Sequence, residues 1–342
     1  MQNVTEVLTE TVVRRTLRDI RDSPRRSSRN LVDMALNFSE GRFQQRFFEV
    51  AQNMLQNEQS PYYALIQDVA AHVDMERLLR FGMNLGYNGC TVGAKRIREL
   101  EKQYGYNIPW TVALSVDTSL FMAWQQRYHE VIAQGEEMGV YVWQLLSEKQ
   151  AQPILTLPLE HPDSAFILYC PAEEITDAFV DMAAELNNLM VVVRYDGDET
   201  AEACVKLRER GLLYSLYFTY TEADMEAIRS GDFFCGAQQL HPAFTALLAG
   251  ADCPAEVQKA VYECVERDRR APQYETILWE TALDSSYVDG IISGDACTAG
   301  FDPQGQMYVQ YERMDGTCFN LFEKNLPEIF KAAFPKKDEA GA

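Results

Sequence analysis

The stretch G-M-N-L-G-Y-N-G-C-T-V-G-A-K-R-I-R-E-L-E, residues 82–101, sets the reading of this chain. Together with the preceding L-L-R-F it predicts a strand over 78–87, a Gly/Asn-rich turn holding Cys90, and an amphipathic helix over 91–104 with Ile97, Leu100 and Tyr104 inward. Strand, glycine-rich turn and helix in that order form the unit from which parallel α/β sheets are built.

The unit recurs downstream. I-P-W-T-V-A-L-S-V (108–116) predicts a strand before a helix over 120–138, and V-Y-V-W-Q-L-L (140–146) a strand before an irregular segment with three prolines. A-F-I-L-Y-C (165–170), L-M-V-V-V-R-Y (189–195) and L-L-Y-S-L-Y-F-T-Y (212–220) each precede a helical run. Six strands, apolar on both faces, imply a parallel sheet covered by helices with right-handed crossovers. A barrel, partial or complete, and an open doubly wound sheet both satisfy the pattern. No G-x-G-x-x-G fingerprint follows a strand, which argues against a dinucleotide fold.

Residues 1–75 read as helices: one over 5–22, one ending near Gly41, and others begun by Ser23-Pro24 and Ser60-Pro61. Beyond 235 the pattern changes to a helix over 254–269 and a hairpin, Q-M-Y-V-Q-Y-E-R and C-F-N-L-F-E about a turn at Asp315-Gly316. A short helix (326–334) and the charged tail K-K-D-E-A-G-A follow. The expected organisation is a helical N-terminal region (1–75), a (β/α) barrel (76–235) and a C-terminal extension (236–342).

Composition narrows the function. The 342 residues carry 31 Lys and Arg against 51 Asp and Glu, a formal net charge of −20. Such a charge disfavours nucleic acid and anionic membranes and leaves room for a neutral or cationic ligand. No apolar run approaches the length of a membrane span, and Arg14-Arg15 leads into T-L-R-D-I-R instead of an apolar signal core, so a cytoplasmic location is expected. Residues 14–29 hold seven Arg and two Asp: the solvated faces of two helices, or a docking patch for a protein partner. Eight scattered cysteines without C-x-x-C point to buried thiols more than to disulfides.

In a parallel sheet, ligands bind beyond the carboxyl ends of the strands. That rule gathers Asn84, Tyr87, Asn88 and Cys90 after the first strand and Asp117 after the second. Cys170, then Arg194, Tyr195 and Asp196, then Tyr220 and Glu222 follow later strands. Cys90 precedes a helix that Thr91 can cap: a lowered thiol pKa would make it a nucleophile, the free amides could cradle an anion, or the residue simply packs in a tight turn. Arg194 ends an apolar strand and needs a partner, either Asp196 and its neighbours or an anionic ligand. Cys235, His241, Cys253 and Cys264 offer soft ligands at an unfamiliar zinc spacing, and Cys90 with Cys170 and a third thiol is an alternative cluster set.

Two stretches resemble the radical SAM enzymes. Residues 82–104, leading into the strand at Ile108, are similar to the family's second strand unit, where a Gly-rich loop binds the amino end of S-adenosylmethionine. C-T-A-G-F-D-P-Q-G-Q-M-Y-V-Q (297–310) resembles the opening of the family's SPASM extension, and N-L-F-E at Asn320 fits it too. The resemblance implies a partial (β/α)6 TIM-like barrel. It also implies S-adenosylmethionine as cofactor, held by Asn84, Gly86, Tyr87, Asn88, Gly89 and Thr91. The departures are large. The C-x-x-x-C-x-x-C triad that would hold an iron–sulfur cluster is missing, no cysteine precedes Cys90, and Gln310 stands at the second SPASM cysteine. The expectation is therefore a degenerate relative without clusters, binding a small molecule or peptide at the barrel mouth. The alternative is an enzyme using the same mouth, with Cys90, Arg194 and Asp196 as catalytic groups or with an unusual cluster.

Overall fold

The computed structural model describes residues 4–37, 42–310 and 312–336. The chain begins with helices α1 (Val4–Asp22), α2 (Pro24–Asn37), α3 (Arg42–Met54), α4 (Tyr62–His72) and α5 (Met75–Gly82). A π-helical segment, Met83–Gly93, joins α5 to α6 (Ala94–Tyr104). The alternating part follows as β1 (Thr111–Ser115), α7 (Thr118–Met138), β2 (Val142–Leu146), α8 (Thr156–Glu160), β3 (Ala165–Cys170), α9 (Asp177–Ala183), β4 (Leu189–Arg194), α10 (Glu199–Glu209) and β5 (Tyr214–Tyr220). It continues through α11 (Met225–Ser230), α12 (Asp232–Ala237), β6 (Phe244–Ala249), α13 (Ala255–Arg270), β7 (Ile277–Glu280), α14 (Thr281–Ile292) and β8 (Ala299–Phe301). β9 (Met307–Val309), β10 (Glu312–Arg313) and α15 (Leu326–Ala333) complete it.

All ten strands form one sheet in the order β10-β9-β8-β1-β2-β3-β4-β5-β6-β7. From β8 to β7 every pair is parallel, with β9 and β10 added antiparallel at one edge. The fold is mixed α/β and consistent with a partial TIM-like barrel; among the described residues β7 pairs with β6 alone, so the sheet is open. The strands on both sides of residue 235 belong to the same sheet.

Alternate residues along the strands serve two cores, as period two requires. Leu114, Trp143, Leu168, Val191 and Leu216 pack with Phe121, Val131 and Ile132 of α7, Phe179 of α9 and Leu207 of α10. Ala165, Tyr169, Met190, Val192, Tyr217 and Ala246 point the other way and pack on Val73 and Phe81, with Leu78 and Leu85 beside them. Fully burying one such large apolar side chain contributes about 1.5–3 kcal/mol.

The strand expected over 78–87 is helical. Asp74 caps α5, accepting from the backbone N–H of Glu76 at 2.9 Å and of Arg77 at 3.1 Å. The glycines that suggested a turn keep helical φ angles and serve close approach. A Cβ on Gly93 would lie 2.2 Å from the carbonyl oxygen of Gly139, and one on Gly89 2.9 Å from Val142.

This helix runs beneath the entry ends of the strands. Arg77 donates to the carbonyls of Leu186 (2.9 Å), Ala184 (2.8 Å) and Gly211, just before β4 and β5. Asn84 donates to Pro162 O (2.8 Å) and Ser164 O (2.9 Å), and Asn88 to Asp163 O (2.8 Å), before β3. Gly93 meets Gly139, before β2. The segment is a floor across four strands, and the parallel series begins at β1.

Two more expectations change. β9 and β10 form the hairpin about Gln310, which takes a positive φ of 50°, while Gly316 opens a short 3-10 turn. The helix end expected near Gly41, Tyr311 of the expected hairpin strand and the tail beyond residue 336 lie outside the described residues.

Candidate functional site at the strand ends

At the carboxyl ends of the strands the structure brings together Arg194 and three carboxylates. The Arg194 guanidinium pairs with Glu148 beyond β2 at 3.0 Å, with Glu173 beyond β3 at 3.5 Å, and with Asp196 beyond β4. Partial burial pushes the guanidinium pKa down, but the hydrogen bond and charge of Asp196 outweigh it and the net shift is upward. One cation thus faces three anions, and the carboxylates face solvent more than Arg194 does. Asp117, beyond β1, caps α7 by accepting from the N–H groups of Ser119 (2.9 Å) and Leu120 (3.3 Å). Its hydrogen bonds, the Ser119 hydroxyl first, hold its pKa low.

A thiol and a phenol beside this rim are held neutral. The Cys170 thiol is buried at the end of β3, and burial together with Glu174 and Glu173 pushes its pKa far up. Burial and the charge of Glu148 do the same to Tyr217. Tyr220 turns away into the core, where its hydroxyl donates to Glu280 at 2.8 Å. Glu222 is exposed. The rim can attract a cation or accept hydrogen bonds; it presents no thiolate.

Arg194 and Asp196 are the sequence-expected residues that come together here. Asn84, Gly86, Tyr87, Asn88, Gly89, Cys90 and Thr91 lie on the floor, at the opposite end of the strands. Their role at a mouth rested on a strand that is helix. Cys90 is partly exposed, yet its sulfur sits among apolar side chains, which push its pKa up to about 12. Of the residues expected to hold S-adenosylmethionine, Asn84 and Asn88 spend their amides on the 162–164 carbonyls, and the Thr91 hydroxyl donates to Gly86 O at 3.2 Å. Cys90 on the floor and Cys170 at the rim cannot share a cluster. Cys235 is exposed while Cys264 is buried, and among the described residues no three His, Cys, Asp or Glu side chains converge as metal ligands.

Glu148 and Glu173 went unnoticed in the sequence. Their signal was position, two and three residues past the ends of strands that were recognised. Of the arginines in 14–29, Arg14 pairs with Glu10 and Glu76, Arg21 donates to Ala70 O (2.8 Å), and Arg29 donates to Leu55 O (3.0 Å) and the Tyr63 hydroxyl (2.6 Å). Arg25 and Arg26 lie at the start of α2.

No family model matches this chain, and no curated protein matches it. Solved structures of SuiB from Streptococcus suis are similar. The form bound to S-adenosylmethionine aligns with a TM-score of 0.49 at 12% identity, over 72% of this chain and 67% of that one. The form bound to precursor peptide SuiA aligns with a TM-score of 0.49 at 13% identity, over 70% and 68%. At these values neither the activity nor the ligands of SuiB pass to this chain. No described helix is long and apolar enough to cross a membrane.

Proposed function

We propose that this chain is a radical SAM/SPASM-like barrel that works without iron–sulfur clusters, as a binding or accessory protein. It holds a small molecule or peptide bearing positive charge at the strand-end rim. The observation that carries this reading is the Arg194 assembly, a single cation drawn to carboxylates from the ends of β2, β3 and β4. An ammonium or guanidinium arriving there gains from the surplus negative charge, while Arg194 offsets the repulsion among the carboxylates. Such a field acts on encounter rate and specificity more than on raw affinity.

The reading that makes Cys90 a nucleophile has two observations against it: a sulfur packed among apolar side chains, which raises the thiol pKa, and a place on the floor. The docking role of the N-terminal arginines narrows to those not spent on the chain's own carbonyls and carboxylates, Arg25 and Arg26 foremost. Reversing both to Glu with no partner lost would remove it.

Titration with a lysine-rich peptide and, separately, with S-adenosylmethionine tests the rim. Binding is expected to weaken about tenfold in the Glu148→Gln/Glu173→Gln double variant, the scale of losing about 1.4 kcal/mol, and to weaken with salt. Unchanged binding in that variant would sink the rim assignment. Iron and sulfide assays on anaerobically purified protein test the rest, and near-stoichiometric [4Fe–4S] would overturn it.

A further inference from the structure

The segment leading into β3 carries a second set of titratable groups, remote from the rim. His161 Nδ1 faces Glu136 Oε2 of α7 at 3.2 Å, and the other Glu136 oxygen accepts from the Ser164 hydroxyl at 2.6 Å. A carboxylate cannot donate, so His161 carries a proton on Nδ1 and, when neutral, presents a lone pair at Nε2. That lone pair faces His129 Nδ1 of α7 at 3.2 Å, with the two rings 19° from parallel. His129 must then donate from Nδ1, where Glu160 Oε2, at 3.5 Å, also favours a proton. Its Nε2 is left as a buried acceptor without a partner among the described residues.

We infer that His129 and His161 form a proton-sensitive latch, both neutral and both protonated on Nδ1, whose ring-to-ring bond between α7 and residues 160–164 is lost in acid while the Glu136 contacts of His161 and Ser164 remain. A proton added to His161 Nε2 would point at the His129 N–H. A proton added to His129 Nε2 would be buried without an acceptor. The groups facing the pair are Glu136 and Glu160, with Tyr141 beside Glu136, and Asp163 and Arg96 beside Tyr141. Burial pushes the His129 pKa down, and His161 adds to this against the pull of Glu160. A depressed histidine pKa means the unfolded chain binds the proton more readily, so stability is complete above about pH 6.5 and falls as pH drops below it.

The latch lies beside a cleft. Pro158, Leu159, Pro162 and Asp163 wall one side of a cleft of about 560 Å³, with Arg80, Glu185 and Asn188 around it. The same segment hangs by its carbonyls from Asn84, Asn88 and Asn188, so releasing the side-chain tie changes this wall first.

The test begins with long-range ¹H–¹⁵N spectra of the wild-type protein, whose four histidines are few enough to assign. At pH 7.5 His129 and His161 are expected as neutral Nδ1–H rings. Melting temperature is then followed from pH 8 to pH 5, with proteolysis to report cleavage near residues 158–164. The fall in Tm below pH 6.5 is expected to be at least halved in His129→Gln, which keeps a donor and cannot titrate. Either ring found as the Nε2–H form, or charged above pH 7, overturns the latch. The ring spectra need no variant, so a poorly folding His129→Gln leaves the inference open to refutation.

Discussion

Gly93 and Gly139 meet backbone to backbone: a Cβ on Gly93 would lie 2.2 Å from the Gly139 carbonyl oxygen, and one on Gly139 2.6 Å from the Gly93 carbonyl oxygen. The contact seats the floor helix at the entry to β2, and neither partner is a flexible side chain that could give way. Gly93→Ala is therefore expected to cost at least about 1–3 kcal/mol in urea unfolding. Gly86→Ala, in the same helix with nothing within 4 Å of the added methyl, is expected to be neutral or to gain up to about 1 kcal/mol. Equal losses in the two variants would refute the close-approach account.

Arg77 is buried and serves three carbonyls, those of Ala184, Leu186 and Gly211. Arg77→Met retains bulk and removes every donor. Each stranded carbonyl costs about 1–3 kcal/mol, so this variant is expected to be among the most damaging single changes in the chain. Hydrogen exchange offers the check: residues 184–190 and 211–214 should lose protection before the β1–β2 region does.

The thiols divide by environment. Cys235 and Cys318 are exposed, whereas burial raises the pKa of Cys90 to about 12 and that of Cys170 further. A thiolate-selective reagent at pH 7.5 is expected to modify Cys235 and Cys318 first, with Cys90 and Cys170 silent until the protein unfolds. Peptide mapping reads the order directly, and early labelling of Cys90 would restore it as a candidate nucleophile.

Asp289 of α14 is fully buried and accepts from the backbone N–H of Trp110 at 3.0 Å and the Thr298 hydroxyl at 3.0 Å. Burial, offset in part by those two bonds, pushes its pKa up to about 7. A carboxyl raised in the folded state binds protons there that the unfolded chain has released, so stability falls as pH rises from about 4 to 7. Asp289→Asn can still accept from Trp110 and does not ionise. It is expected to flatten that decline and to be more stable than wild type at pH 8 by on the order of 1 kcal/mol. Parallel curves for the two proteins would show that Asp289 does not carry the effect.

The strands β1 to β5 were legible because each is a continuous apolar run bounded by polar residues, the mark of a strand buried on both faces. β7, I-L-W-E, escaped because it is only four residues long, whereas F-T-A-L-L-A of β6, as long as β3 and β4 and bracketed by Pro242 and Gly250, was legible and was missed. The floor helix was misread for a physical reason: Gly89 and Gly93 answer to Val142 and Gly139, partners that no local pattern reveals. Its asparagines likewise answer to carbonyls more than seventy residues away. Arg194 with Asp196 could be read from the strand end alone. Glu148 and Glu173 needed the strand order, because only neighbouring parallel strands bring their trailing residues to one guanidinium.

The floor helix also sets an order of assembly. Its bonds from Arg77 span 109 and 134 residues of chain, so a ribosome releases the helix long before the strands it will underlie exist. Leu79, Phe81 and Met83, all buried in the finished protein, have no sheet to cover during that interval. Such delayed, long-range closure slows folding and exposes sticky surface to neighbours. The nascent chain is thus most exposed to aggregation, and most in need of a chaperone, until β5 has been made.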